Sequence, residues 1–327
     1  MRRRDFIAGV GGVAVWPIVA RAQQPGRIRR VVVLTNVTEE DMDEKLRLAA
    51  FREELRRLGW IEGTNVQLDY RWTDASIDLA RKFSGEIVAA KPDVIFVAGT
   101  TTVSTMLQYT RSIPIVFVTG ADPVQVGFVK SLARPGGNAT GLVDFEDTVG
   151  TKWLQLLKEV APKVARVIYL HTDSRASLIQ LPAVQKLTAT IDIRLLPSRV
   201  RNVTEIERAL DAHAGEAGTG LIVSPSSVLA VNRDLILARA AQHGFPAIYP
   251  NRRYTADGGL MSYGIDRTEQ YRRVASYVDR ILHGAKPADL PVRQSEKFEF
   301  VLNLKTARAL GLDLPRMLLA RADEVID

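Results

Sequence analysis

The chain has 327 residues, 46% hydrophobic and 25% charged, which is typical of a globular protein whose length predicts two domains. Its formal net charge is +7, but four arginines and one aspartate lie in the first 22 residues, so the rest carries +4. This small excess, without basic runs, gives no reason to expect a nucleic-acid partner. The absence of cysteine excludes disulfides and thiolate metal sites, and the four scattered histidines show no metal-ligand spacing, so we expect no metal and no cofactor.

The N-terminus, MRRRDFIAGVGGVAVWPIVARAQQ, is typical of an export signal. Positive charge is followed by an apolar stretch over 6–20 and then by Ala20-Arg21-Ala22, the order of a secretory signal with its cleavage site. Arg3-Arg4 followed by Asp5, Phe6 and Ile7 is similar to the twin-arginine pattern. We predict an export signal over residues 1–22, cleavage before Gln23 and a periplasmic protein; an uncleaved membrane anchor is the alternative.

Short apolar strands alternate with helices along the rest of the chain. Strands are predicted at 30–34, 66–70, 93–98, 114–118, 139–143, 166–170, 191–196, 220–223, 245–249 and 260–263, and helices at 46–58, 77–90, after Gly99, and at 124–132, 151–160, 181–190, 203–214, 232–242 and 267–282. This alternation predicts parallel, helix-covered sheets, and it starts again after residue 143. We therefore predict an α/β protein with two doubly wound parallel-sheet lobes joined by a hinge. Ligands of such sheets bind beyond the carboxyl ends of the strands, so the cleft between the lobes is the expected site.

Hydroxyl side chains follow two of the predicted strands. VIFVA leads into Gly99 and three threonines, and LIV leads into SPSS at 224–227. Helix N-termini leave N–H groups unpaired and carry partial positive charge, so a carboxylate or phosphate fits there. Ser and Thr are also ordinary N-caps, and the sequence leaves both interpretations open.

Enzyme signatures are absent from the sequence. It contains no phosphate-binding G-x-x-x-x-G-K-[ST] loop and no G-x-S-x-G nucleophile elbow. Asp122 and Asp266 are better explained as helix caps, or as partners of a ligand ammonium, than as a catalytic pair. We therefore predict that the protein is not an enzyme.

Three stretches carry a family resemblance: FREELRRLGWIEGTNVQLDYRW (51–72), LARPGGNATGL (132–142) and the long run GGLMSYGIDRTEQ…TARALGL (258–312). They resemble the ABC-transporter substrate-binding protein family that includes tryptophan/tyrosine-binding receptors. The resemblance implies a type I periplasmic-binding fold with three crossing segments, in which lobe 1 comprises 29–141 and about 266–285, and lobe 2 comprises 142–265 and about 286–327. It also implies hinge closure on a small solute, delivery to a membrane permease with its ATPase, and, we expect, a monomer.

The resemblance also implies where the ligand binds and what it is. Segments 99–102, 119–123 and 224–227 match ligand-contacting positions of the family. Amino-acid-binding relatives often carry Thr-Asp-Asn where this chain has Ser224-Pro-Ser-Ser227, so an acidic partner for an ammonium is missing there. We predict a carboxylate-bearing solute (an amino acid, an aromatic acid or similar) whose ammonium, if it has one, is held by Asp122 or Asp266. The full predicted ligand-binding set is Asn36, Gly99, Thr100, Thr101, Thr102, Thr119, Asp122, Pro123, Phe145, Ser174, Ser224, Ser226, Ser227 and Asp266.

Two other functions share most of these features. A periplasmic receptor that presents its ligand to a membrane kinase has the same architecture. A periplasmic enzyme on a two-lobed scaffold is the third class, and turnover assays test it.

Overall fold

Two β-sheets organise the fold, and strands and helices are numbered here in chain order. The computed structural model describes residues 27–144 and 149–327. The predicted export signal at 1–22 and the predicted ligand residue Phe145 lie outside the described residues. Both sheets are flanked by helices and most strand pairings are parallel, as predicted for a doubly wound α/β protein.

The first sheet has six strands in the order β11-β5-β4-β3-β1-β2, all paired in parallel. Its strands are β1 (Arg29–Thr35), β2 (Val66–Trp72), β3 (Val94–Ala98), β4 (Ile115–Thr119), β5 (Ala139–Val143) and β11 (Arg293–Gln294), and its helices are α1 (Met42–Arg57), α2 (Ile77–Ala90), α3 (Thr100–Tyr109), α11 (Arg267–Leu282) and a 3₁₀ helix (Pro287–Asp289). Every residue of β3, β4 and β5 is buried, because helices cover both faces of the sheet. On one face, α1 and α11 pack against the sheet through Phe51, Tyr271 and Val278.

The second sheet has seven strands in the order β13-β12-β10-β9-β8-β6-β7. Its strands are β6 (Arg166–His171), β7 (Arg194–Arg199), β8 (Thr219–Val223), β9 (Ala247–Tyr249), β10 (Met261–Ile265), β12 (Phe298–Asn303) and β13 (Glu324–Ile326), and its helices are α4 (Val149–Val160), α5 (Arg175–Leu178), α6 (Leu181–Thr188), α7 (Val203–Asp211), α8 (Ser227–Val231), α9 (Arg233–Gln242), α10 (Arg252–Ala256), α12 (Leu304–Ala309) and α13 (Arg316–Leu319). The antiparallel exception is the β10–β12 pair, which brings the chain back from the first sheet. Gly264 in β10 is required there, because a Cβ at this position would lie 1.9 Å from the carbonyl oxygen of Pro250.

The chain crosses between the sheets in three places: after β5, after β10 and between β11 and β12. Side chains at the crossings bind one another. Gln270 Nε2 donates to Ser295 Oγ at 2.7 Å and also to the carboxylate of Asp144, while Lys297 Nζ lies 3.0 Å from Asp266 Oδ2. The three crossing segments are therefore joined to one another as well as to the lobes.

Two differences from the sequence-based expectation concern the first lobe. The expected division placed residues from 286 onward in lobe 2, but β11 pairs with β5, and Leu290 and Val292 lie in the cores of the first lobe. A two-residue strand has too few side chains to show a period, so the sequence could not locate it. The helix predicted at 124–132 is wrong: this segment forms turns, and Gly127 adopts a positive φ of 77° that interrupts a helix.

Candidate functional site

The carboxyl edges of the two sheets face each other. Strands β1, β3 and β4 are parallel neighbours, so their carboxyl ends lie along one edge of the first sheet, and β6, β8 and β9 share an edge of the second in the same way. The helices that follow β1 and β9 meet across the gap, where Arg253 Nη1 lies 3.7 Å from Asp43 Oδ1. The space between these edges is the candidate site.

The first-lobe wall is built from residues that follow β1, β3 and β4. The hydroxyls of Thr100 and Thr119 hydrogen-bond at 3.0 Å, and Thr119 Oγ1 also accepts from the Ala121 N–H at 3.1 Å. Asn36 packs against Gly99, where a Cβ would lie 2.6 Å from Asn36 Cγ. Four predicted residues (Asn36, Gly99, Thr100 and Thr119) are thus brought together by the parallel pairing of three strands.

The start of α3 has no side-chain cap. Gly99 occupies the N-cap position with φ 100° and ψ 133°, and among the described residues no side chain accepts a hydrogen bond from the first turn. Thr101 is exposed in that turn, whereas Thr102 is only 2% exposed and faces the core. An uncapped helix start presents N–H donors and a partial positive charge, which suit an anionic group.

The two aspartates of the predicted set cap local structure. Asp122 Oδ1 accepts from the N–H groups of Val124 (2.9 Å) and Gln125 (3.2 Å), and the neighbouring Pro123 is buried. Asp266 is the N-cap of α11, accepting from the Glu269 N–H at 2.9 Å, and it forms the ion pair with Lys297. Both carboxylates accept hydrogen bonds from backbone N–H groups, as in the capping interpretation that the sequence left open.

The second-lobe wall is a network of hydroxyls that bond to each other. The Thr172 hydroxyl lies 3.1 Å from Ser174 Oγ and 3.1 Å from Ser226 Oγ, and it donates its one proton to either of them. Ser226 is the N-cap of α8 with no side-chain capping bond, and Ser227 in the first turn is exposed. Thr172 follows the last residue of β6 and was not in the predicted set. Its position directly after a strand was the signal that could have identified it.

Ser224 belongs to the packing behind this wall. It is 0% exposed, its Oγ donates to the Leu170 carbonyl at 2.9 Å, and it also hydrogen-bonds to Ser177. The Ser177 hydroxyl in turn accepts from the Thr172 N–H at 2.9 Å. In this arrangement Ser224 fixes the loop after β6 to the end of β8, and its hydroxyl does not reach the cleft.

Two groups near the first-lobe edge were not predicted. The Thr35 hydroxyl, at the end of β1, is buried and has no hydrogen-bond partner among the described residues. Glu44, in the first turn of α1, is 2% exposed and accepts from the Tyr271 hydroxyl at 2.7 Å. Burial raises the pKa of Glu44 above its usual value, although Arg47 and the Tyr271 hydrogen bond oppose that shift. No local pattern in the sequence indicates this buried pair, because Tyr271 lies 227 residues from Glu44.

The described residues place further limits on the site. No cluster of three or more His, Cys, Asp or Glu side chains within residues 27–144 and 149–327 has the arrangement of a metal site. Over the same residues, no helix has the length and apolarity needed to cross a membrane.

A family model described as ABC transporter substrate binding protein matches residues 30–326. The chain belongs to this family. Substrate-binding proteins of the family bind small-molecule solutes, interact with transporter components, are generally not enzymes and are typically extracytoplasmic.

Individual relatives agree with the family assignment. A tyrosine-binding protein of Clostridioides difficile (strain R20291) is 24% identical over 263 residues, which is 80% of this chain and 75% of the relative. A conserved domain protein from Vibrio cholerae O1 biovar eltor has a crystal structure with a TM-score of 0.77 and 26% identity, covering 91% of this chain and 100% of its own. A Streptococcus pneumonia ABC domain in complex with L-Trp gives a TM-score of 0.78 at 23% identity, covering 91% of this chain and 99% of its own.

The fold is that of type I periplasmic binding proteins. An ABC sugar transporter subunit from Rhodobacter sphaeroides and an ABC transporter solute-binding protein from Agrobacterium vitis share it at 13% identity, with TM-scores of 0.59 and 0.60. This substrate-binding protein therefore has two mostly parallel sheets whose carboxyl edges enclose the expected ligand site of such a fold.

Proposed function

We propose that this protein is the solute receptor of an ABC importer and that it clamps a small carboxylate-bearing solute between its lobes. The observation that carries the proposal is the uncapped start of α3, with Gly99 as N-cap, beside the hydroxyls of Thr100 and Thr101. The donors at a helix start bind an anionic group without a charged side chain. The solute carboxylate lies against this turn, and the rest of the solute extends toward Ser226 and Ser227.

The ligand class follows from these donors and from the relatives. One relative is named as a tyrosine-binding protein and another was crystallised with L-Trp, so aromatic acids are the first candidates. The predicted ammonium partners, Asp122 and Asp266, already hold backbone N–H groups, and Asp266 also pairs with Lys297. The receptor consequently depends on the carboxylate more than on the ammonium.

A matched ligand series tests this proposal. Thermal unfolding and calorimetric titration are measured with L-tryptophan, with indole-3-propionate, which lacks the ammonium, and with tryptamine, which lacks the carboxylate; L-tyrosine and tyramine form a second set. A ligand that binds only the folded state at 100 times its Kd adds about 2.7 kcal/mol of stability. We expect stabilisation by the carboxylates and none by the amines, and equal stabilisation by tryptamine and tryptophan would contradict the proposed carboxylate site.

Ligand closure and delivery form the second part of the proposal. A solute that contacts both walls favours the lobe arrangement in which they approach, and a membrane permease with its ATPase recognises that arrangement. Uptake of a labelled ligand by cells with and without the receptor gene tests delivery. Normal uptake in the deletion strain would contradict it, and a change in phosphorylation of a membrane kinase instead would support the sensory alternative.

Export by a twin-arginine signal is the third part. The proposal rests on the charged, apolar and A-x-A segments of residues 1–22. Replacing both Arg3 and Arg4 by Lys keeps the charge and removes the arginine pair, so we expect the protein to stay in the cytoplasm. The intact mass of exported wild-type protein should begin at Gln23, and an unprocessed mass would support the anchor alternative.

A further inference from the structure

A charged contact between α1 and α10 joins the two lobes. Arg253 Nη1 lies 3.7 Å from Asp43 Oδ1, and the two side chains are 35% and 33% exposed. Asp43 lies in the first turn of α1, whose Phe51 packs in the first-lobe core, while Arg253 lies in α10, whose Tyr254 packs in the second-lobe core. The pair therefore crosses from one lobe to the other at the edge of the cleft.

The two sides of this contact have opposite charge. The start of α1 carries Asp41 and Asp43, and α10 carries Arg252 and Arg253. The pKa of Arg253 is raised, mainly by its hydrogen bond to Asp257 and further by the charges of Asp43 and Asp41. Opposite charges that meet only when the lobes approach stabilise the approached arrangement. Because both side chains are partly exposed, salt screens the attraction between them.

Each partner also has a neighbour of opposite charge within its own lobe. Arg253 Nε donates to Asp257 Oδ2 at 2.8 Å within the second lobe. On the other side Asp43 lies 4.0 Å from Arg47, which contacts the buried Glu44 at 3.2 Å. The hydrogen bond to Asp257 restricts Arg253 before it meets Asp43, so part of the conformational entropy cost of pairing is already met within the second lobe.

We propose that Asp43 and Arg253 form a latch at the cleft edge that stabilises the approached arrangement of the lobes even without solute. The proposal rests on the hinge movement of the proposed function but not on the identity of the solute. When the lobes separate, Asp43 and Arg253 part while their contacts within each lobe remain.

The test measures the distance between the lobes in the solute-free protein. Because the chain has no cysteine, Val126→Cys and Val231→Cys provide unique spin-label positions. These positions are 42% and 86% exposed. They lie in segments that follow β4 and β8, one on each lobe, so the distance between the two labels, measured by double electron–electron resonance, reports the width of the cleft. We expect Asp43→Asn and Arg253→Gln each to raise the ratio of wide to narrow forms about two- to fivefold. The double variant, Asp43→Asn with Arg253→Gln, should raise the ratio no further than either single substitution, because both remove the same contact.

The control is Arg57→Gln, which breaks an ion pair with Glu54 inside α1 and should leave the distances unchanged. High salt should raise the ratio of wide to narrow forms in the wild-type protein and have little effect on this ratio in Asp43→Asn. Thermal melts of each variant establish that it folds. Unchanged distances in folded Asp43→Asn and Arg253→Gln would overturn the latch while leaving solute binding intact. Failure of the ligand series would overturn the carboxylate site while leaving the latch measurable.

Discussion

The two walls of the cleft use the same residue types in different ways. In the first lobe, α3 begins at Gly99 without a side-chain cap, so the donors of its first turn have no side-chain partner among the described residues. In the second lobe, the Ser224 hydroxyl is fully buried and hydrogen-bonds to the Leu170 carbonyl and to Ser177. A row of hydroxyls at a strand end can therefore be either a binding surface or internal packing, and the hydrogen-bond partners decide which.

Among substitutions in the first-lobe wall, Gly99→Ala should cause the largest loss of solute affinity. Alanine is strained at φ 100°, and its Cβ would lie 2.6 Å from Asn36 Cγ, so both the turn and Asn36 must move. We expect carboxylate binding to be lost in calorimetric titration. Gly63→Ala is the control, because its φ is 79° but nothing lies within 4 Å of the added Cβ. If both variants bind like wild type, α3 does not form the ligand site.

Ser224→Ala should give the largest effect on the packing side. The substitution removes the donor to the Leu170 carbonyl and the bond to Ser177 in a fully buried setting. We expect the free energy of unfolding in urea to fall by about 1–3 kcal/mol, with unchanged affinity for the solute. Ser227→Ala, at an exposed position, should leave stability unchanged. A loss of affinity in a fully folded Ser224→Ala protein would show that this residue is part of the binding surface.

Thr101→Val should have the opposite profile to Ser224→Ala. The exposed hydroxyl lies in the first turn of α3, so its removal deletes one donor to an anionic solute and no buried hydrogen bond. We expect about tenfold weaker carboxylate binding, which corresponds to about 1.4 kcal/mol, and an unchanged melting temperature. Unchanged affinity would restrict the ligand contacts to backbone N–H groups.

Glu44→Gln should give the smallest effect, visible in the pH dependence of stability. Burial raises the pKa of Glu44 in the folded protein above its usual value of 4.5. At pH values between 4.5 and the folded pKa, the folded state therefore keeps a proton that the unfolded state releases. The stability contributed by Glu44 is therefore present at low pH and lost as pH rises through the folded pKa. Glutamine has no such titration, so the melting temperature of the variant relative to wild type should rise from pH 4 to pH 7. A constant difference would mean that Glu44 has equal pKa values in both states.

The repeating parts of the fold could be predicted from the sequence. The bounds of α2, β5 and α11 agree with the prediction. The two helices have a clear apolar period, α11 ends just before Gly284, and β5 starts directly after the turn residues Pro135-Gly-Gly-Asn138. The segment after residue 286 could not be assigned in the same way, because β11 has only two residues and its place depends on pairing with β5.

The strand-end position of the candidate residues could be predicted from the sequence, but their hydrogen-bond partners could not. Parallel strands bring Asn36, Gly99 and Thr119 to one edge, and the order of strands and helices was enough to indicate that. The burial of Ser224 depends on Ser177, which lies 47 residues earlier and follows a different strand. Contacts of this kind are made by tertiary packing, so no local pattern in the sequence distinguishes Ser224 from the exposed Ser227.

The crossing segments have a consequence for the order of folding during synthesis. Helix α11 covers a face of the first sheet, but all of residues 149–265, most of the second lobe, are made before it. The second sheet in turn lacks β12 and β13 until the last residues are made. Domains generally fold as units and from the N-terminus, but here neither lobe has its full set of strands and helices until the chain is almost complete. A nascent chain stalled near residue 265 would expose the apolar surface that Tyr271 and Val278 later cover, so it is the species most prone to aggregation or to chaperone binding.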